Sequence, residues 1–306
     1  MFNTKADRAE NLKRLGCLIS ILCFAAVAAG FLAPLDFSRG ARADEFLREG
    51  KTAYEAKDFE TAAKDFMSAA KLGNAEAQFM LGYCCKAGIG IGKNEEEAKR
   101  WFHKAAKQGN ADAQFEYASC IEWGPVAEWD GKEIFKWYSK AAEQGHIEAM
   151  YALYSCYISG LNGKPDWKQA IHWLRKAAEQ GYLRAQIRLG DEYRMGHGLG
   201  VPPDGEKAFY WYSKAAEQGD SSGQCRIGKC YEEGIGVEQD YAEALKWFRT
   251  AADQDDYDAQ FEIGKCYHEG KGVGKDMAEA VKWYRLAAEQ GSPDAKKALK
   301  ELNLAE

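Results

Sequence analysis

Positive charge is in short supply: 41 Lys and Arg stand against 47 Asp and Glu, for a formal net charge of −6 over 306 residues. Holding nucleic-acid phosphates draws on a clustered basic face and a favourable long-range field, so no nucleic-acid partner is expected. Histidine is scarce as well. His103, His146, His172, His197 and His268 share no metal-ligand spacing such as His-Glu-x-x-His, and neither a metal nor a cofactor is expected. No nucleophile elbow is assigned, no Cys–His pair has support beyond coexistence in the chain, and no residue is given a catalytic role. Long apolar runs are also missing, with one exception, Leu15 to Ala33.

That exception sits behind a basic start (Lys5, Arg8, Lys13, Arg14) and before Ala41-Arg42-Ala43, the layout of a secretory signal ending ahead of Asp44. Left uncleaved, a run of this length could instead anchor the chain in a bilayer about 30 Å thick. Either way residues 1–43 form a signal or anchor, and the folded part is expected outside the cytoplasm, periplasmic or secreted. Without those residues the formal charge is −9. With 46% hydrophobic and 29% charged residues, the remainder reads as folded protein.

A repeat then decides the fold. Ala-Ala-x-Gln-Gly, or a close variant, occurs at 69–73, 105–109, 141–145, 177–181, 215–219, 251–255 and 287–291, and a tryptophan precedes all but the first by four residues: Trp101, Trp137, Trp173, Trp211, Trp247, Trp283. Each unit of about 36 residues resolves into two helical stretches. In 74–109 the first carries Ala77, Leu81 and Cys84 on one face, Gly88 to Gly92 break it, and the second carries Ala98, Trp101, Phe102 and Ala105. Helix pairs this short cannot bury their apolar stripe alone, so neighbouring pairs must stack, with the tryptophans in the core.

These residues resemble the Sel-1-like repeat family, a relative of the tetratricopeptide repeat. Its pattern is matched by Ile227, Gly228, Tyr231, Gly234, Gly236, Val237, Ala244, Trp247, Ala251, Ala252 and Gln254. The resemblance implies an all-α, right-handed α-solenoid of stacked antiparallel helix pairs. Six units are expected at 74–109, 110–145, 146–181, 182–219, 220–255 and 256–291, between a tetratricopeptide-like cap at 44–73 and a C-terminal capping helix at 292–306. The turns at 123–131, 160–166 and 196–205 depart from the regular Gly-x-Gly-Val and are expected to cluster on one edge, as drifted loops or as an extra contact surface.

Cys84, Cys120, Cys156, Cys230 and Cys266 share one register, and stacked helices hold equivalent positions about 8–10 Å apart, beyond disulfide reach. Buried free thiols are therefore expected. The glycine turns lie between helices, without the strand that a phosphate-binding loop needs.

Specificity should sit in columns that vary from unit to unit. One reads Met80, Glu116, Ala152, Arg188, Arg226 and Glu262; the other, three residues on, reads Tyr83, Ser119, Ser155, Asp191, Lys229 and Lys265. The resemblance places them in the groove of the solenoid. Arg188, Arg226, Lys229 and Lys265 make its C-terminal half basic, which suits an acidic peptide or a terminal carboxylate; the other reading is a solvated face balanced by Asp191 and Glu262. The expected role is an exported adaptor or scaffold for a protein or peptide. A scaffold for envelope polysaccharide, stacked on Tyr83, Trp123 and Trp129, is the rival. A β-lactam-hydrolysing enzyme of the family's cysteine-rich kind is further off, because neither the paired cysteines nor a Ser-x-x-Lys constellation is expected.

Overall fold

The computed structural model describes residues 37–125, 129–196 and 202–303. Among them the chain forms fifteen α-helices and no strand. The helices are α1 Phe37–Glu55, α2 Phe59–Lys71, α3 Ala75–Ala87, α4 Glu95–Lys107, α5 Ala111–Glu122, α6 Gly131–Glu143, α7 Ile147–Ser159 and α8 Trp167–Glu179. They continue with α9 Leu183–Met195, α10 Gly205–Glu217, α11 Ser221–Glu233, α12 Tyr241–Ala252, α13 Tyr257–Glu269, α14 Met277–Glu289 and α15 Pro293–Glu301. Contacts divide the chain after Ala113, early in α5, into an N-terminal and a C-terminal unit. In each, consecutive helices pack as pairs and the pairs stack, the all-α solenoid expected from the repeat.

The helix ends are written into the sequence. Asp58, Asn74, Asn94, Asp130, Asp166, Asp204, Asp220, Asp240, Asp256, Asp276 and Ser292 each accept a backbone N–H of the first turn they precede. Such caps are worth about 1 kcal/mol each. First helices end on a left-handed glycine: Gly88, Gly160, Gly196, Gly234 and Gly270. In the regular turns the second glycine has a different task. A Cβ on Gly90 would strike the carbonyl of Phe59, on Gly236 that of Gly205 and on Gly272 that of Tyr241, so the turn lies directly on the start of the preceding second helix.

Within four of the pairs a glycine in the first helix receives a ring from the second, and in the pair α5/α6 Ala118 stands opposite Tyr138. A Cβ on Gly82 would come 2.7 Å from the Phe102 ring, on Gly190 2.5 Å from Tyr212, on Gly228 2.5 Å from Phe248 and on Gly264 2.5 Å from Tyr284. In the unit built on α7 and α8 the sizes are exchanged: Tyr154 takes the glycine position and Leu174 the ring position, and both are buried. Burying such a ring contributes about 1.5–3 kcal/mol, and in a close-packed interior the size on one side is matched to the size on the other.

The residue after each tryptophan, rather than the tryptophan, fills the centre. Trp101 and Trp137 are buried, whereas Trp173, Trp211, Trp247 and Trp283 are only half-buried, a correction to the expectation of an all-core column. Lysine ammonium groups lie over three rings of the column, Lys104 3.9 Å from Trp101, Lys140 4.9 Å from Trp137 and Lys176 4.6 Å from Trp173.

The glutamine of Ala-Ala-x-Gln-Gly is explained by a polar clasp. Gln108 donates to Gln78 (2.8 Å), Gln144 to Gln114 (2.8 Å), Gln218 to Gln186 (2.8 Å), Gln254 to Gln224 (2.9 Å) and Gln290 to Gln260 (3.1 Å). The Gln78 and Gln186 amides in turn donate to Ala70 and Ala178, at the end of the preceding second helix. These buried first-helix amides are thus satisfied while tying one unit to the next.

Helix α1 runs through Ala41-Arg42-Ala43, and Ala43 is packed at 3% exposure, while Asp44 accepts from Asn74 (2.9 Å). Residues 1–36, with the apolar run from Leu15 to Ala33, lie outside the described residues. No described helix is long and apolar enough to cross a membrane.

Candidate functional site

The two variable columns lie one turn apart on the first helices, and most of their residues are half-buried. In the N-terminal unit Met80 is half-buried and Tyr83 exposed. In the C-terminal unit Glu116 is half-buried, and Ser119 lies 3.1 Å from the Tyr138 hydroxyl, which donates to Glu122 (2.6 Å). Ala152 is half-buried and Ser155 exposed, so this middle stretch carries no charge of its own in either column.

From α9 onward the same positions form a ladder of opposite charges. Arg226 of α11 reaches back to Asp191 of α9 (2.8 Å), which also accepts from the Tyr212 hydroxyl (2.7 Å). One unit further the signs reverse: Glu262 of α13 meets Lys229 of α11 (3.0 Å) and, along its own helix, Lys265. Lys265 also approaches Glu232 (3.8 Å). At the other end Arg188 donates to the Tyr154 hydroxyl (2.6 Å) and pairs with Glu192 (2.6 Å). The C-terminal half of the face is therefore not a plain basic strip. Arg188, Arg226, Lys229 and Lys265 are interlocked with Glu192, Asp191, Glu262 and Glu232.

Depth separates the two signs. Glu262 has a side-chain exposure of 7% and Lys229 33%, and Asp191 13% against 34% for Arg226, so the carboxylates lie beneath and the cations outside. Burial pulls the Lys229 and Lys265 ammonium groups down, but the surrounding acidic groups, Glu262 foremost, together hold both above the ordinary lysine value. Burial pushes Glu232 up, against the pull of Lys265. Glu192, Glu232, Tyr154 and Tyr212 escaped the sequence reading. A signal for part of the network was there, since Asp191/Arg226 and Lys229/Glu262 are both opposite-charge pairs linking the second column of one unit to the first column of the next.

Two strings correct the expectation that no nucleophile elbow and no Ser-x-x-Lys occur, although neither is built as a catalytic site. Gly219-Asp220-Ser221-Ser222-Gly223 has the letters of a nucleophile elbow, yet it joins two helices: Asp220 caps α11 and a Cβ on Gly223 would lie 2.8 Å from Ala215. Ser68-Ala-Ala-Lys71 has a Ser-x-x-Lys spacing, but the Ser68 hydroxyl donates to the Lys64 carbonyl (3.0 Å). The seven described cysteines are free thiols, all buried but the half-buried Cys120. Burial pushes Cys85 up to about 11 and Cys156, Cys225, Cys230 and Cys266 up to about 12, so they stay protonated and unreactive at neutral pH. Among the described residues no group of three His, Cys, Asp or Glu could hold a metal ion.

The family model for the Sel1 repeat matches residues 75–110, 111–146, 147–182, 183–220, 221–256 and 258–292. This chain belongs to the Sel1 repeat family. Its Sel1 repeats resemble those of c5321, a protective antigen present in uropathogenic Escherichia coli strains and displaying an SLR fold, at 33% identity and a TM-score of 0.76. The alignment covers 85% of this chain and 56% of c5321, so the chain spans little more than half of that relative's length. A Sel1 repeat protein from Oxalobacter formigenes is 31% identical, with a TM-score of 0.67 over 85% of this chain and 76% of the other. Comparison with the curated proteins finds no match. Sel1 repeats typically serve as scaffolds for protein–protein interaction, and this chain shares that architecture.

Proposed function

We propose that this Sel1 repeat protein is an exported adaptor that holds a protein or peptide partner of acidic character against its first-helix face. The contact residues are Met80, Tyr83, Glu116, Ser119, Arg188, Asp191, Arg226, Lys229, Glu262 and Lys265. The observation that carries this reading is the ladder, with its cations outermost. An acidic partner would meet Arg188, Arg226, Lys229 and Lys265 before their buried carboxylates, and guanidinium groups have donors to spare for a second, bidentate contact. In the N-terminal unit, Met80 and Tyr83 offer apolar contact of their own. Export rests on the basic start and apolar run within residues 1–43. Cleavage before Asp44 would leave α1 as Asp44–Glu55.

Changing Arg226 alone would leave the buried Asp191 unpaired, which by itself costs stability. The informative variant neutralises both sides, Arg226→Gln with Asp191→Asn and Lys229→Gln with Glu262→Gln, so that amide pairs replace ion pairs. Crosslinking and mass spectrometry on cells expressing the full-length chain should recover an envelope protein bound to wild type and lose at least tenfold of it in this variant, while its melting temperature stays within a few degrees. Undiminished crosslinking would sink the groove, and a mature chain retaining residues 1–43 inside the cytoplasm would sink export.

A second reading, a scaffold for an envelope polysaccharide, is favoured by one observation: Trp123 and Trp129 stand exposed at 83% and 49%. Retention of the chain by purified wall or capsule polymer, abolished by Trp123→Ala and Trp129→Ala, would favour it over a protein partner.

A further inference from the structure

One first helix departs from the capping pattern. Asn74, Asn110, His146, Asp220 and Asp256 each accept a first-turn backbone N–H of α3, α5, α7, α11 and α13, Asn110 from Ala113 (2.7 Å) and His146 through Nδ1 from Ala149 (3.2 Å). At the head of α9 stands Tyr182, which makes no side-chain cap bond. Its backbone, φ −68 and ψ 110, is that of Asp256, φ −71 and ψ 107, so a capping residue fits there. Sequences break a local rule of this kind where another demand prevails.

What Tyr182 supplies instead is a ring. It lies 5.3 Å from the Tyr151 ring of α7 at an angle of 56°, and Tyr151 in turn lies 5.5 Å from Tyr154. Tyr154 is buried and its hydroxyl is taken by Arg188. Tyr151 and Tyr182 are half-buried, and neither hydroxyl has a hydrogen-bond partner among the described residues. Two tilted rings with free donors make a notch, not the flat platform on which a sugar ring would stack. One unit back, Phe115 and His146 lie 4.6 Å apart at 23° and extend the aromatic strip. All of these residues belong to the C-terminal unit and sit toward the N-terminal ends of its first helices, beside the short turns 144–146 and 180–182.

The rim of the notch is positive. Arg184, exposed in the first turn of α9, has no carboxylate within ion-pair distance among the described residues. Arg188, one turn on, keeps 43% of its side chain exposed while paired with Glu192. Glu148, which holds the place of Arg184 on α7, lies 3.5 Å from the His146 ring. Burial raises the Tyr151 hydroxyl above its ordinary value, with Arg188 and Arg184 pulling against it, so it remains a donor at neutral pH.

We infer that the partner segment held by this face carries prolines in the polyproline II conformation, seated in the notch of Tyr151 and Tyr182 with flanking acidic residues at Arg184 and Arg188. The inference rests on the reading of the first-helix face as the partner-binding surface, and it names the chemistry of what that surface holds. A polyproline II segment makes no internal hydrogen bonds, so its carbonyls are available to the two phenol hydroxyls, and its stiffness lowers the entropy lost on docking. Proline rings fill the space between tilted aromatic rings, and a carboxylate beside them meets the unpaired Arg184 guanidinium.

The test uses the full chain and two fluorescein-labelled peptides: three prolines with two glutamates on each side, and the same peptide with alanines for the prolines. The proline peptide should bind wild type at least tenfold more tightly. Tyr182→Asn should abolish that preference and, because asparagine supplies the missing cap, should melt no lower than wild type. Tyr151→Phe/Tyr182→Phe, which keeps both rings and removes both donors, should reduce the preference at least about threefold. Arg184→Gln should weaken both peptides alike. Equal affinity of the two peptides for wild type would overturn the inference, and if the neutralised ladder variant then lost both, the acidic groove would stand without it. A preference surviving in Tyr182→Asn would place the prolines elsewhere and overturn it too. Displacement of the peptide by a polyuronate oligosaccharide, or a wild-type dimer that Tyr182→Asn dissociates, would give the notch to a sugar polymer or to a second copy instead. Binding by neither peptide would also overturn it, leaving the groove to be decided by the crosslinking experiment.

Discussion

Glycine at Gly82, Gly190, Gly228 and Gly264 is dictated by the ring opposite and not by backbone conformation, since these four are helical. The unit of Tyr154 and Leu174 shows that a bulkier residue on the first helix goes with the loss of the aromatic ring on the second. The physical cause is a fixed volume between two helices that cannot separate without losing every other contact in the stack. Gly228→Ala should therefore cost about 1–3 kcal/mol by overpacking against Phe248. In a Phe248→Leu background the same change should cost little. Urea unfolding of the four proteins of this cycle measures the coupling, and an unchanged penalty in the second background would refute the volume argument.

At the scale of the element, the two glycines of each turn differ in kind. Gly270, with φ +78, caps α13, and the nearest atom to an added Cβ is 3.4 Å away, on the Lys275 side chain. Gly272, with φ +70, has the Tyr241 backbone where a Cβ would stand. Gly270→Ala then meets only the left-handed penalty, about 1–2 kcal/mol. Gly272→Ala should cost clearly more, because the turn must lift off the preceding helix pair. Melting temperatures of the two variants should rank in that order, and protection of the α12 amides in hydrogen exchange should fall only in Gly272→Ala. Equal effects would mean that the turn does not hold the units together. Asp255, at φ +61 where the other full units have glycine, shows that the last position of the motif tolerates a residue able to adopt that conformation.

For the molecule as a whole, the buried thiols set an alkaline limit. Cys156, Cys225, Cys230 and Cys266 are pushed by burial from 9.0 to about 12. Between those values the folded chain keeps protons that the unfolded chain has released, so the folded state binds more protons and stability falls as pH rises. Lys229 and Lys265, raised above 10.5 with Glu262 as the main favourable partner, act in the same sense: their pairing is present below 10.5 and is lost as pH climbs through the folded value. Melting temperature should decline steadily from pH 9 to 11. Cys225→Ala should lessen the slope by about 1.4 kcal/mol per pH unit, one proton's worth. A flat profile over that range would contradict the burial of these groups.

Local chemistry along the chain determined the helices, their caps, the length of the repeat and the need to stack, because each of these follows from residues within a few positions of one another or recurring at a fixed interval. Asp and Asn before a second helix, glycine after a first and the Ala-Ala-x-Gln-Gly period are legible without coordinates. Which ring fills the centre was not: Trp173 and Leu174 are neighbours in sequence, and only the angle at which the helices meet sends one to the border and the other inside. Nor could the net sign of the first-helix face be read from its columns. That sign depends on Asp191 reaching Arg226 and Lys229 reaching Glu262 across a stacking interface, and on which member of each pair lies deeper.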